Sequence, residues 1–538
     1  MGKLEPTKAV RLPLVIGAYA IYLEKIIMTE SALWYYLIPL FPLLAASWLA
    51  ISYLFFNNRG EAGEKHTARV ASLASLASLL LLLAVDMLAL WQGVPGQTQA
   101  LTWFNAGDYH LSFSLRLDTL GLSIGTLVAL IAFLTTRFSI NYLHREAGFQ
   151  RFFMVISLFT SAMLLIVLAG NALLAFIGWE LAGVSSYLLI GYALDRPNAT
   201  KNANRAFVTN RIGDAGFILA MAFSLLWWNS LEWPVILENA QQHSTLAVGV
   251  VALGFLLAAL AKSALVPFSP WISRALEGPT PSSAIFYGSL MVHAGVYLVI
   301  RLQPLWEQVP LFMILLAVLG ALTALYGFLS GLVQTDVKSS LMFSTTGQVG
   351  VMFLLCGLGY FTLAAWYLAL HAIWRAYQFL HAPALMHLVS RPARPVPAWM
   401  QRCPKLYIAA LQRFWLDSFA DAVWVRPLSL MARDVQAFDD RIVNRMVGLP
   451  GATGVYPTLS GHQSDQRIGH ARGMAGRLLQ WVAAWSYWFE EQLILRGGGE
   501  GLLSVLNRLG KSFDKLDYLL SQPRYLLLMV VVTFAVIL

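Results

Sequence analysis

Charge is scarce in this sequence. Asp, Glu, Lys and Arg make up 12% of its 538 residues, about half the share of roughly 25% found in soluble domains. A chain so poor in ionised groups is neither disordered nor an ordinary soluble enzyme. Cysteine is scarcer still. Cys356 and Cys403 are the only two, which excludes a disulfide scaffold and a cysteine metal cage. No Gly-rich nucleotide loop, Cys cluster or HExxH pairing appears. The residues therefore offer no catalytic centre, no metal site and no cofactor site. What is abundant is apolar surface, 58% of the chain, and it is gathered into long runs. The formal charge of +9 does not imply nucleic acid, because the basic residues lie between those runs, where orientation signals belong.

A bilayer-crossing helix needs about 20 mostly apolar residues. The runs predict an all-α polytopic membrane protein of about 12 spans. These fall at 33–56, 70–91, 119–136, 153–170, 172–193, 206–228, 246–270, 283–300, 311–333, 339–357, 361–388 and 523–538. Ser339 to Trp374 carries no charge and holds two spans, with Gly357 and Gly359 marking the turn between them. Loops with Arg59/Lys65/Arg69, Arg137/Arg145/Arg151, Arg196/Lys201/Arg205, Arg274, Lys338 and Arg391/Arg394 read as cytoplasmic, while the alternate loops are poor in basic residues. Residues 1–32 break the alternation with Lys3, Lys8, Arg11 and Lys25, and read as an interfacial segment or a start misplaced upstream of Met28; the alternative is a signal peptide, though Glu24 and Lys25 stand where its small-residue cleavage site belongs. The expected organisation is that segment, the first spans (33–152), a core (153–390), an amphipathic cytoplasmic-side segment (391–522) and a C-terminal span (523–538). In the amphipathic segment Trp415, Phe419 and Val423 recur at helical spacing, with Asp417, Asp421 and Arg426 on other faces.

An ionisable residue inside a membrane is costly, and by default it suggests function. Glu180 is the only charge between Arg151 and Asp195, and Lys262 the only one between Glu238 and Arg274. Pro267 and Pro270 follow Lys262 and remove backbone hydrogen bonds, so the helix unwinds beside the lysine. Arg211 and Asp214 stand at i, i+3 and pair on one face, as a structural ion pair or as part of a path. Tyr367, His371 and Arg375 share a stripe at four-residue spacing. His293 sits in a span with no other charge, either as a titratable group or as a packing residue. A glutamate and a lysine whose spacing changes can load and release a proton without any redox cofactor.

Several motifs in fixed order carry a resemblance. Leu115-Arg116-Leu117-Asp118 and Arg151-Phe152-Phe153 come first, then Gly178-Trp179-Glu180 through Ser186-Tyr187-Leu188-Leu189-Ile190-Gly191. Arg205-Ala206-Phe207-Val208-Thr209-Asn210-Arg211-Ile212-Gly213-Asp214, Lys262-Ser263, Gly278-Pro279-Thr280-Pro281-Ser282-Ser283-Ala284, Gln334-Thr335-Asp336-Val337-Lys338 and Ser344-Thr345 follow. Together they resemble the NuoL/MrpA family, the antiporter-like proton-pumping subunits of complex I and of cation/proton antiporters. The resemblance implies that Glu180 and Lys262 form the central proton-carrying pair and that His371 is a channel histidine. Tyr287 stands where a histidine is expected, with His293 six residues on; Tyr367 replaces another histidine, and Arg375 replaces a lysine. Arginine keeps its proton, so position 375 steers a proton without relaying it.

The family's later spans are missing after residue 390, leaving the second inverted repeat truncated. Phe414-Trp415-Leu416-Asp417-Ser418 through Val423-Trp424-Val425-Arg426-Pro427-Leu428 resembles its late C-terminal segment. That combination is similar to DabB, the membrane subunit of DAB inorganic-carbon complexes. The resemblance implies a partner like DabA, a zinc protein similar to β-carbonic anhydrases, at the cytoplasmic face of a bacterial inner membrane. The expectation is a non-enzymatic subunit that couples a proton gradient to CO2 or bicarbonate uptake. The alternatives are a pumping subunit of complex I or of a membrane-bound hydrogenase, or an Mrp-type Na+/H+ antiporter subunit.

Overall fold

The computed structural model describes residues 34–55, 58, 60–98, 101–106, 109–388 and 396–438, with short stretches between 481 and 514. The expected interfacial segment 1–32 and the C-terminal span 523–538 lie outside the described residues. Two compact units meet in sequence at Pro427/Leu428 rather than near residue 390.

The first unit opens with α1 (Trp34–Phe55) and α2 (Gly60–Gln92). Short strands β1 (Gly96–Gln97), β2 (Leu101–Ala106), β3 (Tyr109–Phe113) and β4 (Arg116–Leu117) pair antiparallel, β1 with β4 and β2 with β3. Then come α3 (Thr119–Tyr142), α4 (Phe149–Leu168), α5 (Ala172–Ile190), α6 (Pro197–Trp228), α7 (Trp233–Gln242) and α8 (Thr245–Lys262). The chain continues through α9 (Pro270–Arg274), α10 (Thr280–Ser283), α11 (His293–Arg301), α12 (Gln303–Glu307), α13 (Pro310–Gly331), α14 (Val337–Gly357) and α15 (Phe361–Leu388). Short helices α16 (Ala398–Gln401), α17 (Pro404–Leu411) and α18 (Leu416–Ala420) close this unit. Helix α19 (Arg426–Phe438) leads into the second, with Met431, Val435 and Phe438 exposed along one stripe.

Nine helices among the described residues are long and apolar enough to cross a membrane: α1 to α6, α8, α13 and α14. Helix α15 has 28 residues, ample for the hydrocarbon core at about 1.5 Å per residue, and holds His371 and Arg375 inside it. The chain is a polytopic all-α membrane protein. Helix α2 begins at Gly60, ahead of its apolar run, because its first turns are tied down: Glu64 accepts from the Arg145 backbone N–H (2.9 Å) and contacts His144 Nδ1 (2.7 Å).

Two expected spans are interrupted. The one placed at 246–270 stops at Lys262, and seven residues intervene before Pro270 restarts the helix. The one placed at 283–300 is not continuous. A π-helical turn covers Ala284–Ser289, the chain is irregular at 290–292, and α11 restarts at His293. The prolines after Lys262 predict the first break, but an apolar count misses the second, because side-chain hydrophobicity is blind to an extra residue inserted in a turn.

The core gathers on α4, whose Phe149, Phe152, Phe153 and Phe159 are fully buried. Helices α2 and α13 instead expose rows of large apolar residues, Leu80, Leu83 and Met87 on one and Ile314, Val318 and Leu325 on the other. Such faces suit lipid tails. Helices α6 and α8 touch at backbone level: a Cβ added to Gly254 would stand 2.5 Å from the Gly216 carbonyl oxygen. Small residues permit such approaches between membrane helices, and this crossing seats α8 against the face of α6 that carries Asp214.

Candidate proton-translocation site

Helix α5 is started by Asn171, whose side chain accepts the Leu174 backbone N–H at 2.8 Å, a standard cap. Glu180 then falls at mid-helix. Its carboxylate accepts a hydrogen bond from Arg211 on α6, and Arg211 Nη2 also lies 2.8 Å from Asp214 Oδ2. One guanidinium thus holds two carboxylates. Asp214 is buried, while Glu180 and Arg211 remain partly open, at 26% and 31% side-chain exposure. Phe207 stacks its ring under the guanidinium, 4.4 Å from the ring centre.

Lys262 is the last residue of α8 and is only 1% exposed. The C-terminal end of a helix carries partial negative charge, which favours a cation. The ammonium donates to the Trp179 carbonyl at 3.0 Å and lies over the Trp179 ring. It therefore reaches α5 one residue from Glu180. Gly183 makes the space: a Cβ there would come 2.8 Å from Arg211 Nη2 and 3.7 Å from Lys262 Nζ. Glu180, Arg211, Asp214 and Lys262 form one cluster of two anions and two cations.

The interruption after Lys262 is satisfied by neighbours, as backbone at membrane depth must be. The Trp271 indole donates to the Ala261 carbonyl at 2.8 Å, and Val266 N–H donates to Thr323 Oγ1 at 3.0 Å. Ser263 Oγ donates to the Val292 carbonyl at 2.7 Å. That last bond joins one helix break to the other, because Val292 immediately precedes α11.

His293, the first residue of α11, meets His371 of α15 with Nε2 and Nδ1 2.9 Å apart. Arg375 Nε points at His371 Nε2 from 3.4 Å, and its Nη2 donates to Ser344 Oγ at 2.8 Å. An arginine only donates, so His371 Nε2 accepts, its Nδ1 carries the proton, and His293 Nε2 receives it. His293, His371 and Arg375 are all buried. Tyr367 packs its ring edge-on to His371 one turn away. Tyr287 lies in the π-helical turn, and its side chain is outside the described set.

The structure thus sorts the seven sequence-predicted residues into two groups, joined through the Ser263–Val292 bond. Trp179, Gly183, Ser263 and Ser344 were not singled out as members of either. None carries charge, and only their proximity marks them. Asp86, outside both groups, accepts a hydrogen bond from Thr126 Oγ1 at 2.6 Å. No group of three or more His, Cys, Asp or Glu residues suited to a metal ion occurs among the described residues.

The segment after α15 packs on the same face as the break. Asp421 pairs with Arg205 and Asp417 with Arg274, the latter at 3.0 Å. Trp424 donates its indole N–H to Thr209 Oγ1 at 3.2 Å and packs on Phe268, inside the interrupted stretch. Trp415, Phe419 and Val423 point outward. This is an inverted amphipathic arrangement, with charge toward protein and apolar side chains toward the surroundings.

Residues 169–393 match the family model described as NADH:quinone oxidoreductase/Mrp antiporter, TM. Residues 103–153 match the one described as NADH-Ubiquinone oxidoreductase (complex I), chain 5 N-terminus. NAD(P)H-quinone oxidoreductase chain 5 of Picosynechococcus sp. is 36% identical over 365 residues, covering 65% of this chain and 54% of the relative. NADH-quinone oxidoreductase subunit L of Mycobacterium tuberculosis is 36% identical over 291 residues, covering 54% and 46% respectively. A chain of the Mrp complex from Dietzia sp. superposes with a TM-score of 0.57 at 25% identity, over 66% of this chain and 38% of that one. A chain of the archaeal membrane-bound sulfane sulfur reductase shares the fold, with a TM-score of 0.55 at 19% identity, over 66% of this chain and 57% of that one. The chain spans about half the length of the curated relatives it matches.

Proposed function

We propose that the chain is an antiporter-like membrane subunit of NuoL/MrpA type, as its family matches support, and that it conducts protons as one subunit of a larger membrane complex. The observation that carries this reading is the buried lysine at a helix break, one residue from the glutamate on the facing helix. Arg211 holds Glu180 and Asp214 together. A proton reaching the more exposed Glu180 neutralises it and leaves the guanidinium to Asp214. Lys262 then loses an anionic neighbour, which favours giving up its own proton. The break lets the lysine's end of α8 shift without moving the rest of the helix. His371 and His293 form the next hydrogen-bonded step, and Arg375 sets the direction of that bond without itself giving up a proton. The chain itself carries out no bond-making chemistry in this reading.

What the proton flow drives is best read from the relatives, which are oxidoreductase subunits and an Mrp complex. That supports a complex I or Mrp-type assembly in a bacterial inner membrane over inorganic-carbon uptake. One observation favours the second reading, a DabB-like subunit beside a DabA-like zinc partner. The chain passes from α15 to short helices packed on the core, with no membrane-length helix between 396 and 438. The test is proton flux in vesicles holding the full chain in its complex. Lys262→Ala and Glu180→Gln should each reduce flux to background with assembly unchanged, and full flux in both variants refutes the path. Mass spectrometry of what co-purifies separates the assemblies: redox subunits, small Mrp-like subunits, or one large zinc protein.

A further inference from the structure

A groove of about 530 Å³ opens between α3 and α15, reaching from Leu130 and Ile373 at one end to Phe138 and His381 at the other. Both walls run for the same eight residues, about 12 Å at 1.5 Å each. That is less than half of a hydrocarbon core roughly 30 Å thick. A membrane-spanning helix of a partner would need a seat along the whole of α15. The groove's length instead favours an occupant confined to one leaflet.

The groove is apolar at its deeper end, where Leu134 and Ile373 are about half exposed. Its other end precedes the Arg145 loop, which reads as cytoplasmic. Two aromatic pairs mark that end. Phe138 stacks on Tyr142 with ring centres 5.6 Å apart, and Tyr377 lies nearly parallel to His381 at 5.7 Å. Such rings gather at the headgroup level of a bilayer. Arg137, beside Phe138, is exposed and has no ion pair among the described residues. A free guanidinium at that level suits a phosphate.

Between the two ends lies a polar atom with nothing to bond. Thr135 lines the groove and is 0% exposed, yet its hydroxyl has no hydrogen-bond partner among the described residues. Ser139, one turn on, donates back to the Thr135 carbonyl at 2.6 Å, whereas Thr135 makes no such bond of its own. A buried hydroxyl left unpaired is costly, and an occupant with an acceptor oxygen relieves it. Thr135 sits three residues, about 4.5 Å, deeper than Phe138. That offset suits the ester carbonyl of a lipid whose phosphate lies at the rim.

We propose that the groove seats one anionic phospholipid of the cytoplasmic leaflet. An acyl chain runs along Leu130, Leu134 and Ile373, an ester oxygen accepts from Thr135, and the phosphate meets Arg137 and His381. The site stands whether or not the chain conducts protons. It bears on α15 all the same. Ala376 in the groove wall is next to Arg375, and Ile373 lies between His371 and Arg375. The lipid therefore packs on the turn of helix that carries both.

The test is native mass spectrometry of the full chain in its complex, after exchange into phosphatidylglycerol or phosphatidylcholine. The native chain should retain one phosphatidylglycerol, held about fivefold more tightly than phosphatidylcholine, as one basic side chain facing an anionic headgroup predicts. Arg137→Gln should erase that preference and leave one lipid bound. Thr135→Val keeps the shape, removes the hydroxyl and should weaken retention of both lipids. Ala376→Phe fills the groove and should lose the lipid altogether. If that variant fails to assemble, Leu134→Trp on the exposed wall tests the same volume. Equal retention of the two lipids by the native chain, or unchanged retention in Arg137→Gln, Thr135→Val and Ala376→Phe together, overturns the site. Loss of a membrane subunit rather than a lipid from Ala376→Phe also overturns it, because the occupant is then a protein helix.

Discussion

Two sets of arginine–carboxylate pairs lie within the same unit and behave as opposites. Arg205–Asp421 and Arg274–Asp417 tie the segment after α15 to the bundle, with partners 23–31% exposed. Arg211 and Glu180 are just as exposed, at 31% and 26%, but their cluster includes Asp214 at 4% and a fully buried lysine. In the first set Asp417 and Asp421 each anchor one loop at the bundle's edge, where water screens the pair. In the second, one arginine is shared between two anions while a second cation waits at a helix end. A pair that can be redistributed suits transport, whereas a pair that only closes suits anchoring. The arginine–carboxylate chemistry is the same in both; what sets the second apart is the buried Asp214 and the buried Lys262 beside it.

The sharpest way to break this contrast is Lys262→Arg. It preserves charge and length yet should abolish flux as fully as Lys262→Ala, because arginine does not release its proton. Retained flux would mean that position 262 supplies only charge, as in the anchoring pairs. Gly183→Ala should have a smaller effect. Its Cβ would stand 2.8 Å from Arg211 Nη2, pushing the guanidinium from its shared position while the fold holds. Flux in vesicles should drop roughly fivefold, equivalent to about 1 kcal/mol.

Asp417→Asn with Asp421→Asn addresses the other side of the comparison. Each lost pair should cost about 1 kcal/mol or less at such exposure. The result should be a slightly lower thermal midpoint and easier proteolysis of residues 404–427, with flux per folded protein kept. Flux lost without destabilisation would place these pairs in the path.

The smallest effect is one of pH. Burial raises the pKa of Asp118, but the hydrogen bond and charge of Arg301, the Gly121 N–H and Arg116 more than offset it, leaving it below the ordinary 3.8. A depressed carboxylate stabilises the folded state above its unfolded pKa, and this contribution is lost as pH falls toward the folded value. The stability difference between the native chain and Asp118→Asn should be full at neutral pH and shrink as the pH falls below the ordinary value. Denaturation measured across that range checks it.

Much of the fold was legible before any coordinates. Nine apolar runs return as membrane-length helices, because burial in lipid demands a local, contiguous property of the chain. Gly359 turns between α14 and α15 with φ +88°, as the glycines at 357 and 359 indicated. Glu180 and Lys262 stood out as isolated charges, and the prolines after Lys262 announced a break. The π-helical turn at Ala284–Ser289 did not, since nothing in Ala-Ile-Phe-Tyr-Gly-Ser distinguishes it from an ordinary apolar turn. Asp417 and Asp421 were placed off the apolar stripe, yet spacing said nothing of the arginines that receive them.

By itself the sequence determined that the chain lives in a bilayer, where its helices run, and which ionisable groups are stranded within them. Those properties follow from residues acting on their immediate neighbours. Only the tertiary structure decided who meets whom: Arg211 with Glu180, Lys262 with the carbonyl of Trp179, His293 with His371 across 78 residues of sequence. Those meetings depend on how each helix is rotated and how closely it is packed. That is set by small residues such as Gly254 against Gly216, whose effect appears only when a second helix arrives.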